Sequence, residues 1–264
     1  MNNTDYTEVL NQLRTIQNNL STESALSTED IFRNVALLEG CLMTHSFTQE
    51  QQQEVIDLFT EYLHQYQQHF TDYTAALEKE FTEHTISTGE IDFEFLKKSI
   101  WYYRFDDLIK EEVRLSGMNT ESNPLFIGSG PFPLTAILYH IHAGCQVTCI
   151  EKEAEYAETS KQLLAALGMH DTITVLTGLG EEFVDNAYTH VTIGLQALPK
   201  NLIFKQVQKQ IPSGIKIICR TKSGFGDIFY SGESETTLVD AHFDVLTRVQ
   251  DRDMTIVPII SQTK

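Results

Sequence analysis

The sequence predicts an α/β fold, a mostly parallel sheet flanked by helices and preceded by an all-α N-terminal domain. Three observations carry this. Residues 1–118 keep helical spacing throughout; from Pro124 onward short β-branched runs alternate with helical stretches; and the first of those runs breaks into Gly128-Ser129-Gly130-Pro131 before a new amphipathic stretch begins. The expected division is 1–118 for the helical domain and 119–264 for the sheet domain. At 264 residues either one large or two small cores can be buried.

Taken in order, Tyr6, Val9, Leu10, Leu13, Ile16 and Leu20 share one helical face. Ser27 and Asp30 flank a helix start ahead of the stripe Ile31, Val35, Leu38, Leu42. Thr48 with Gln51 forms a capping-box pattern, opening a long helix striped by Val55, Leu58, Phe59, Tyr62, Tyr66, Phe70, Tyr73, Leu77 and Phe81. The stretch WYYRFDDLIKEEVRLSG, from Trp101, continues the pattern and stops at Gly117. Candidate strands follow at 125–127, 146–150, 172–175, 190–195 and 215–219, with helices expected at 133–142, 154–167, 180–187 and 200–210. FDVLTRV and TIVPIIS then form an expected terminal antiparallel pair, where Pro258 suggests an edge position or a bulge.

Composition excludes several function classes. The formal charge is −18, and the first 118 residues carry 21 acidic against 8 basic residues, net −13. A nucleic-acid partner needs a basic face, so none is expected; a small cationic substrate is compatible. No apolar run approaches a membrane span, and the opening MNNTDYTEVLNQL lacks the basic-then-apolar order of a signal peptide, so the expected setting is cytoplasmic. Cys41, Cys145, Cys149 and Cys219 form no Cys-x-x-Cys pair, and the nine histidines are scattered, so no metal site is expected.

The glycine turn carries the chemistry. Gly128 and Gly130 let the backbone take up positive φ and approach a ligand, at the strand end where open α/β sheets bind theirs. Pro131 and Pro133 remove N–H donors, which disfavours a diphosphate. Glu151 ends the second strand 21 positions after Gly130, where an acid can accept both ribose hydroxyls. Together they describe an adenosine-containing cofactor, a dinucleotide or S-adenosylmethionine. The missing third glycine favours S-adenosylmethionine.

FIGSGPFPLTAIL (126–138) resembles the Val-Gly-Ser-Gly-Pro-x-Pro-Leu segment of the nicotianamine synthase family, including the bacterial relatives that build opine-type (staphylopine-like) metallophores. ALEKEF (76–81) is similar to that family's Leu-Glu-x-His-Phe element, with Glu80 in place of the histidine. WYYRFDDLIKEE (101–112) resembles its Tyr-Tyr-x-Asn-Tyr-x-x-Leu-x-x-x-Glu element; Arg104 and Phe105 depart, Leu108 and Glu112 match. RTKSGFGDIFY (220–230) resembles the segment after its fifth strand.

The resemblance implies a helical lid domain over a Rossmann-like, methyltransferase-type sheet, and transfer of the 3-amino-3-carboxypropyl (aminobutyrate) group of S-adenosylmethionine to an amine, releasing methylthioadenosine. The acceptor it implies is histidine, with the D enantiomer favoured, and the product would pass to an opine-type dehydrogenase; a homodimer is a further expectation. Nicotianamine synthase proper, using S-adenosylmethionine alone, and an ordinary small-molecule methyltransferase are the alternatives. Glu78, at the margin of the buried stripe, is the candidate base that binds and deprotonates the ammonium, and Tyr103 joins it as a catalytic candidate. Tyr102, Arg104 and Asp92 are substrate-binding candidates. Cofactor candidates are Gly128, Ser129, Gly130, Pro131 and Glu151, with Gly178 and Gly180 beneath adenine and Leu195 and Gln196 at the sulfonium end. Arg220 reads as a structural anchor or a ligand group.

Overall fold

The computed structural model describes residues 3–21, 26–88, 96–97, 99, 102–182, 187–231, 235–249 and 256–263. Helices α1 (Asn3–Ser21), α2 (Thr28–Thr44), α3 (Gln49–Phe59), α4 (Leu63–Thr88) and α5 (Tyr102–Ser116) precede the sheet. Then come β1 (Pro124–Ile127), α6 (Leu134–Ala143), β2 (Val147–Glu151), α7 (Ala154–Ala166), β3 (Ile173–Thr177), β4 (His190–Ile193), α8 (Lys200–Gln210) and β5 (Lys216–Lys222). A short α9 (Gly226–Phe229), α10 (Glu235–His242), β6 (Phe243–Arg248) and β7 (Ile256–Thr263) complete the order. No helix among the described residues is long and apolar enough to cross a membrane.

The chain groups into two compact units. One holds Met1–Thr74, Lys222–Glu233 and Arg252–Ile256; the other holds Ala75–Thr221, Ser234–Asp251 and Val257–Lys264. This differs from a cut at residue 118, because residues 75–118 group with the sheet. Their chemistry explains it: Leu96, Tyr102, Ile109 and Met118 are buried in one cluster with Ile137, Leu138 and Cys149 of the sheet layer. His142 of α6 also meets Asp106 of α5 at 2.7 Å. Fully burying each such Leu or Ile contributes about 1.5–3 kcal/mol.

In the helical unit, Ser27 caps α2 by accepting the Asp30 N–H, and Thr48 with Gln51 makes the reciprocal capping box of α3, both as the sequence predicts. The expected single long helix is interrupted by one tighter turn at Thr60–Tyr62. Leu13, Leu20, Leu38, Val55, Phe59 and Tyr66 fill its interior. The segment after β5 packs into this unit, not the sheet unit. Phe229 lies 4.5 Å from Phe70, Phe225 lies 5.0 Å from Phe47, and Gln67 donates to the Asp227 carbonyl. Aromatic side chains at this density find their burial among the helices.

Among the described residues, the sheet has seven strands in the order β3-β2-β1-β4-β5-β7-β6. The first five are parallel, with Phe126 beside Cys149 on one flank and Thr192 on the other. β7 runs against β5, since Thr221 Oγ1 reaches the Val257 carbonyl while Ser261 Oγ reaches that of Ile217. β6 pairs antiparallel with β7 across an irregularity between Val245 and Thr247. Pro258 is therefore not on an edge strand, because β7 is interior; the bulge is present on the partner strand. The helix expected at 180–187 is not seen at its described ends: Glu181 and Glu182 form a turn, Ala187 and Tyr188 are irregular, and 183–186 lie outside the described residues.

Candidate functional site

β3, β2, β1 and β4 end side by side, and three glycine amides lock those ends together. Gly128 N–H donates to the Ile150 carbonyl at 2.8 Å, Gly178 N–H to Glu151 at 3.0 Å, and Gly194 N–H to Ile127 at 3.0 Å. Gly128 and Gly130 have φ of +84° and +67°, the left-handed region that glycine enters without steric cost. Both are also crowded. A Cβ on Gly128 would sit 3.0 Å from Ala197 Cβ, and one on Gly130 would sit 3.0 Å from Glu78 Oε2.

Gly130 is held from both sides. Its N–H donates to Glu151 Oε2 at 2.8 Å, and its carbonyl accepts from Ser160 Oγ at 2.7 Å. Glu151 is buried, and its Oε1 accepts the Glu153 N–H at 3.0 Å. An ionised carboxylate offers about four acceptor positions, so two remain for the hydroxyls of a ribose. The Ser129 hydroxyl is buried without a hydrogen bond of normal geometry, with the Cys149 thiol beside it. A buried polar group lacking a partner at a glycine turn is what a ligand carboxylate would satisfy. The residues present therefore fit S-adenosylmethionine.

The C-terminal half of α4 delivers Glu78 to this turn. Lys79 Nζ meets Glu155 Oε1 of α7 at 2.5 Å, and the Phe81 and Phe132 rings lie 5.1 Å apart. Thr82, one turn after Glu78, is fully buried against the Pro131 carbonyl, while Glu80 faces outward. Glu78 is half-buried: protein atoms crowd its carboxyl, yet part of the side chain stays open. Burial, and then the nearby Glu151 carboxylate, push its pKa up to about 8. Two carboxyl groups thus converge on one glycine, and burial together with the second carboxylate favours the protonated form of Glu78.

Other candidates are placed less centrally. Tyr102 is buried and Tyr103 is 69% exposed, with their rings 5.4 Å apart edge to face. Among the described residues no hydrogen bond joins Tyr103 to Glu78 or to the glycine turn. Asp92 lies outside the described residues, as does the side chain of Arg104. Leu195 is buried and Gln196 exposed at the end of β4. Gly180 is bare for a reason internal to the fold, since a Cβ there would collide with Ile127 Cγ2. Leu176, in β3, and Leu179, just after it, are exposed apolar residues not anticipated from the sequence.

Two further features escaped the sequence reading. Lys200 is buried, and its Nζ donates to the carbonyls of Leu195 at 2.5 Å and Gly194 at 3.1 Å, bracing the end of β4. A lysine in the first turn of a helix opposes the macrodipole, a signal that it has another partner. Beneath the turn, Arg220 settles as an anchor. Its Nε and Nη2 meet the two oxygens of Glu112, each at 2.9 Å, and its Nη1 meets Thr135 Oγ1 at 2.9 Å. Tyr139 donates to Glu112 at 2.7 Å and contacts Thr192 Oγ1 at 3.0 Å. Burial and the Glu112 charge hold the Tyr139 phenol well above its usual range.

Comparison with known proteins places the chain in a family. The family model "Nicotianamine synthase protein" matches residues 2–264. L-histidine 2-aminobutanoyltransferase of Yersinia pestis is 24% identical over 125 residues, which is 47% of this chain and 47% of that protein. The protein of the same name from Pseudomonas aeruginosa is 20% identical over 46% of each chain. The chain thus spans about half the length of the curated relatives it matches. Among solved structures, a glutamate-to-glutamine mutant of MtNAS in complex with S-adenosylmethionine superposes with a TM-score of 0.81 at 22% identity, over 96% of this chain and 97% of that one. MtNAS in complex with MTA and tNA gives 0.80 at 22%, over 97% and 98%. These likenesses establish the shared Rossmann-like fold, and with the match along nearly its whole length, the chain belongs to the nicotianamine synthase family.

Proposed function

We propose that this protein transfers the 3-amino-3-carboxypropyl group of S-adenosylmethionine to the α-amine of histidine, releasing methylthioadenosine. The observation that carries the reading is the Glu78 carboxyl, brought against Gly130 in the turn whose amide Glu151 holds. S-adenosylmethionine supplies a sulfonium whose neighbouring carbons are all electrophilic, so the protein must choose which carbon meets the nucleophile. Glu151 would take the ribose hydroxyls, Ser129 and the start of α6 the carboxylate, and Leu176 and Leu179 one face of the adenine.

Glu78 serves as the base. The incoming amine arrives as an ammonium without a nucleophilic lone pair, and a neighbouring carboxylate can bind it and then take its proton. A pKa near 8 makes Glu78 a stronger base than an ordinary glutamate. The positive charges of the sulfonium and ammonium favour its ionised form on binding. Alignment behind Cγ, rather than behind the smaller methyl, is imposed by placement, which can supply about 7–11 kcal/mol. Tyr102, Tyr103 and Arg104 of α5, with Asp92, would orient the acceptor.

The relatives are named for L-histidine, and this is the enantiomer we propose for the acceptor. The reading includes a cytoplasmic setting, a homodimer, and a product whose free primary amine suits an opine-type dehydrogenase. The test is mass spectrometry of the nucleoside by-product with a panel of amino acids in both enantiomers. Methylthioadenosine formed in step with L-histidine consumption supports the reading. S-adenosylhomocysteine instead would mean methyl transfer, and an azetidine product formed without histidine would mean nicotianamine synthesis.

A further inference from the structure

We propose that Glu112, Arg220 and Thr135 are positioning residues that set the spacing between the acceptor helix α5 and the helix α6 that opens behind the cofactor turn. The inference rests on the aminocarboxypropyl reading above. Glu112 projects from α5, two turns and a half after Tyr103; Thr135 is the second residue of α6; Arg220 stands on β5 between them. The guanidinium spends three donors on the two helices: Nε and Nη2 fork onto Glu112, and Nη1 reaches Thr135, each at 2.9 Å. Phe105 and Phe126 lie 5.5 and 5.8 Å from its Cζ. Tyr139 of α6 adds a second link to Glu112 at 2.7 Å.

The Glu112, Arg220, Thr135 and Tyr139 side chains are buried, and the polar atoms of Glu112 and Arg220 are engaged with one another and with Thr135 and Tyr139. A buried ion pair is also weak evidence for stability, because well-packed apolar residues commonly serve that end as well or better. What the planar fork offers instead is direction. Each bond fixes both distance and angle, which neither lysine nor an apolar side chain reproduces. The two helices it joins carry opposite halves of the reaction, the acceptor on α5 and the donor's turn before α6. An error of about 1 Å between them can cost about a hundredfold in rate.

Loss of this spacing has a chemical signature. When no amine is aligned behind Cγ, the donor's own carboxylate oxygen can attack that carbon. The C–O bond forms, the C–S bond breaks with its electron pair going to sulfur, and homoserine lactone and methylthioadenosine result without any co-reactant. Each half of the site still binds its ligand, but the two products fall out of step.

The experiment compares Thr135→Val, which removes one leg and keeps the shape, with Arg220→Lys, which keeps the charge and removes the fork. For Thr135→Val, kcat should fall about tenfold to a hundredfold, while S-adenosylmethionine affinity by calorimetry and the histidine KM stay within about threefold. More than one methylthioadenosine should appear per histidine consumed, with homoserine lactone making up the difference. Amide hydrogen exchange across Tyr102–Ser116 should quicken, and Arg220→Lys should shift every readout further. A variant that lowers only the thermal midpoint, with product ratio and α5 exchange unchanged, overturns the positioning role. If the parent yields no methylthioadenosine with any acceptor, the functional reading fails instead, and α5 exchange still decides the latch.

Discussion

Glu78 Oε2 lies 3.0 Å from the point that a Cβ on Gly130 would occupy. The glycine is therefore bare on two counts, since its φ of +67° already disfavours any larger residue. Gly130→Ala should strain the turn and displace the carboxyl together. We expect a loss of stability of about 1–3 kcal/mol, and a fall in S-adenosylmethionine affinity that exceeds any change in histidine KM. Urea unfolding alongside calorimetric titration measures both. Unchanged cofactor affinity would separate the turn from the cofactor site.

The Glu78 carboxyl also gives stability a pH dependence of known sign. Its pKa rises from 4.5 to about 8 on folding. Below pH 4.5 both states carry the proton and the group contributes no difference. Between 4.5 and 8 the unfolded chain ionises while the folded one does not, so stability falls as pH rises; above 8 the penalty is constant. Glu78→Gln removes that penalty. The variant should be more stable than the parent by about 1–3 kcal/mol at pH 8, after discounting for partial exposure, and nearly equal to it at pH 4.5. Chemical denaturation at four or five pH values checks this, and a difference that does not grow with pH would contradict it.

Glu78→Gln should remove most turnover as well. Loss of a positioned general base costs about a hundredfold to ten-thousandfold, and the amide retains the shape needed for cofactor binding. Stopped assays for methylthioadenosine, paired with calorimetry for S-adenosylmethionine, separate the two. Turnover near the parent rate would show that another group takes the proton.

The sequence revealed this site through spacing. Gly128, Gly130 and Glu151 obey a local rule of strand, turn and next strand, and in the structure Glu151 holds the Gly130 amide, a contact the spacing did not anticipate. Glu78 lay beyond such rules, 52 positions before Gly130, and only the resemblance to the family singled it out. Glu112 and Arg220 illustrate the limit more sharply. They stand 108 positions apart, and the family element that Glu112 matches does not name its partner. That residues 75–118 group with the sheet was not legible for a related reason. Helical spacing identifies α5 as a helix, but not that Ile109 and Tyr102 bury against α6 and the sheet. The aromatic run after β5 belongs with distant helices through Phe47 and Phe70, contacts that no window of sequence contains.

Glu151 provides the cofactor prediction. Its two oxygens hold the Gly130 and Glu153 amides, so it both shapes the turn and offers its remaining lone pairs to a ribose. Glu151→Gln keeps one acceptor oxygen and replaces the other with a donor that opposes a backbone N–H. S-adenosylmethionine affinity should fall about tenfold to a hundredfold, since hydrogen bonds to charged groups are worth about 1.5–3 kcal/mol. The same change removes the carboxylate that raises the Glu78 pKa, so the pH-dependent penalty described above should shrink. Measuring the pH profile of stability for Glu151→Gln beside that of the parent tests both roles in one series.

Lys200 supports the last prediction. Its ammonium satisfies the Leu195 and Gly194 carbonyls at the end of β4 from a buried position at the start of α8. Lys200→Met preserves the packing of the stem and removes only the donor, so the Leu195 carbonyl loses this partner while the Gly194 carbonyl keeps the Ala197 N–H. Such a loss costs about 1–3 kcal/mol, but deleting a buried charge offsets part of it. A net destabilisation of about 1–3 kcal/mol should follow, lowering the thermal midpoint by about 2–4 °C for each kcal/mol. Because Gly194 is tied to Ile127 by its own amide, the disturbance should reach the glycine turn and weaken S-adenosylmethionine binding as well. Arginine at position 200 keeps the charge but needs more room than a site only 3% exposed provides, so Lys200→Arg should not rescue binding. Full rescue by arginine would show that charge alone, rather than the fitted ammonium, braces the strand end.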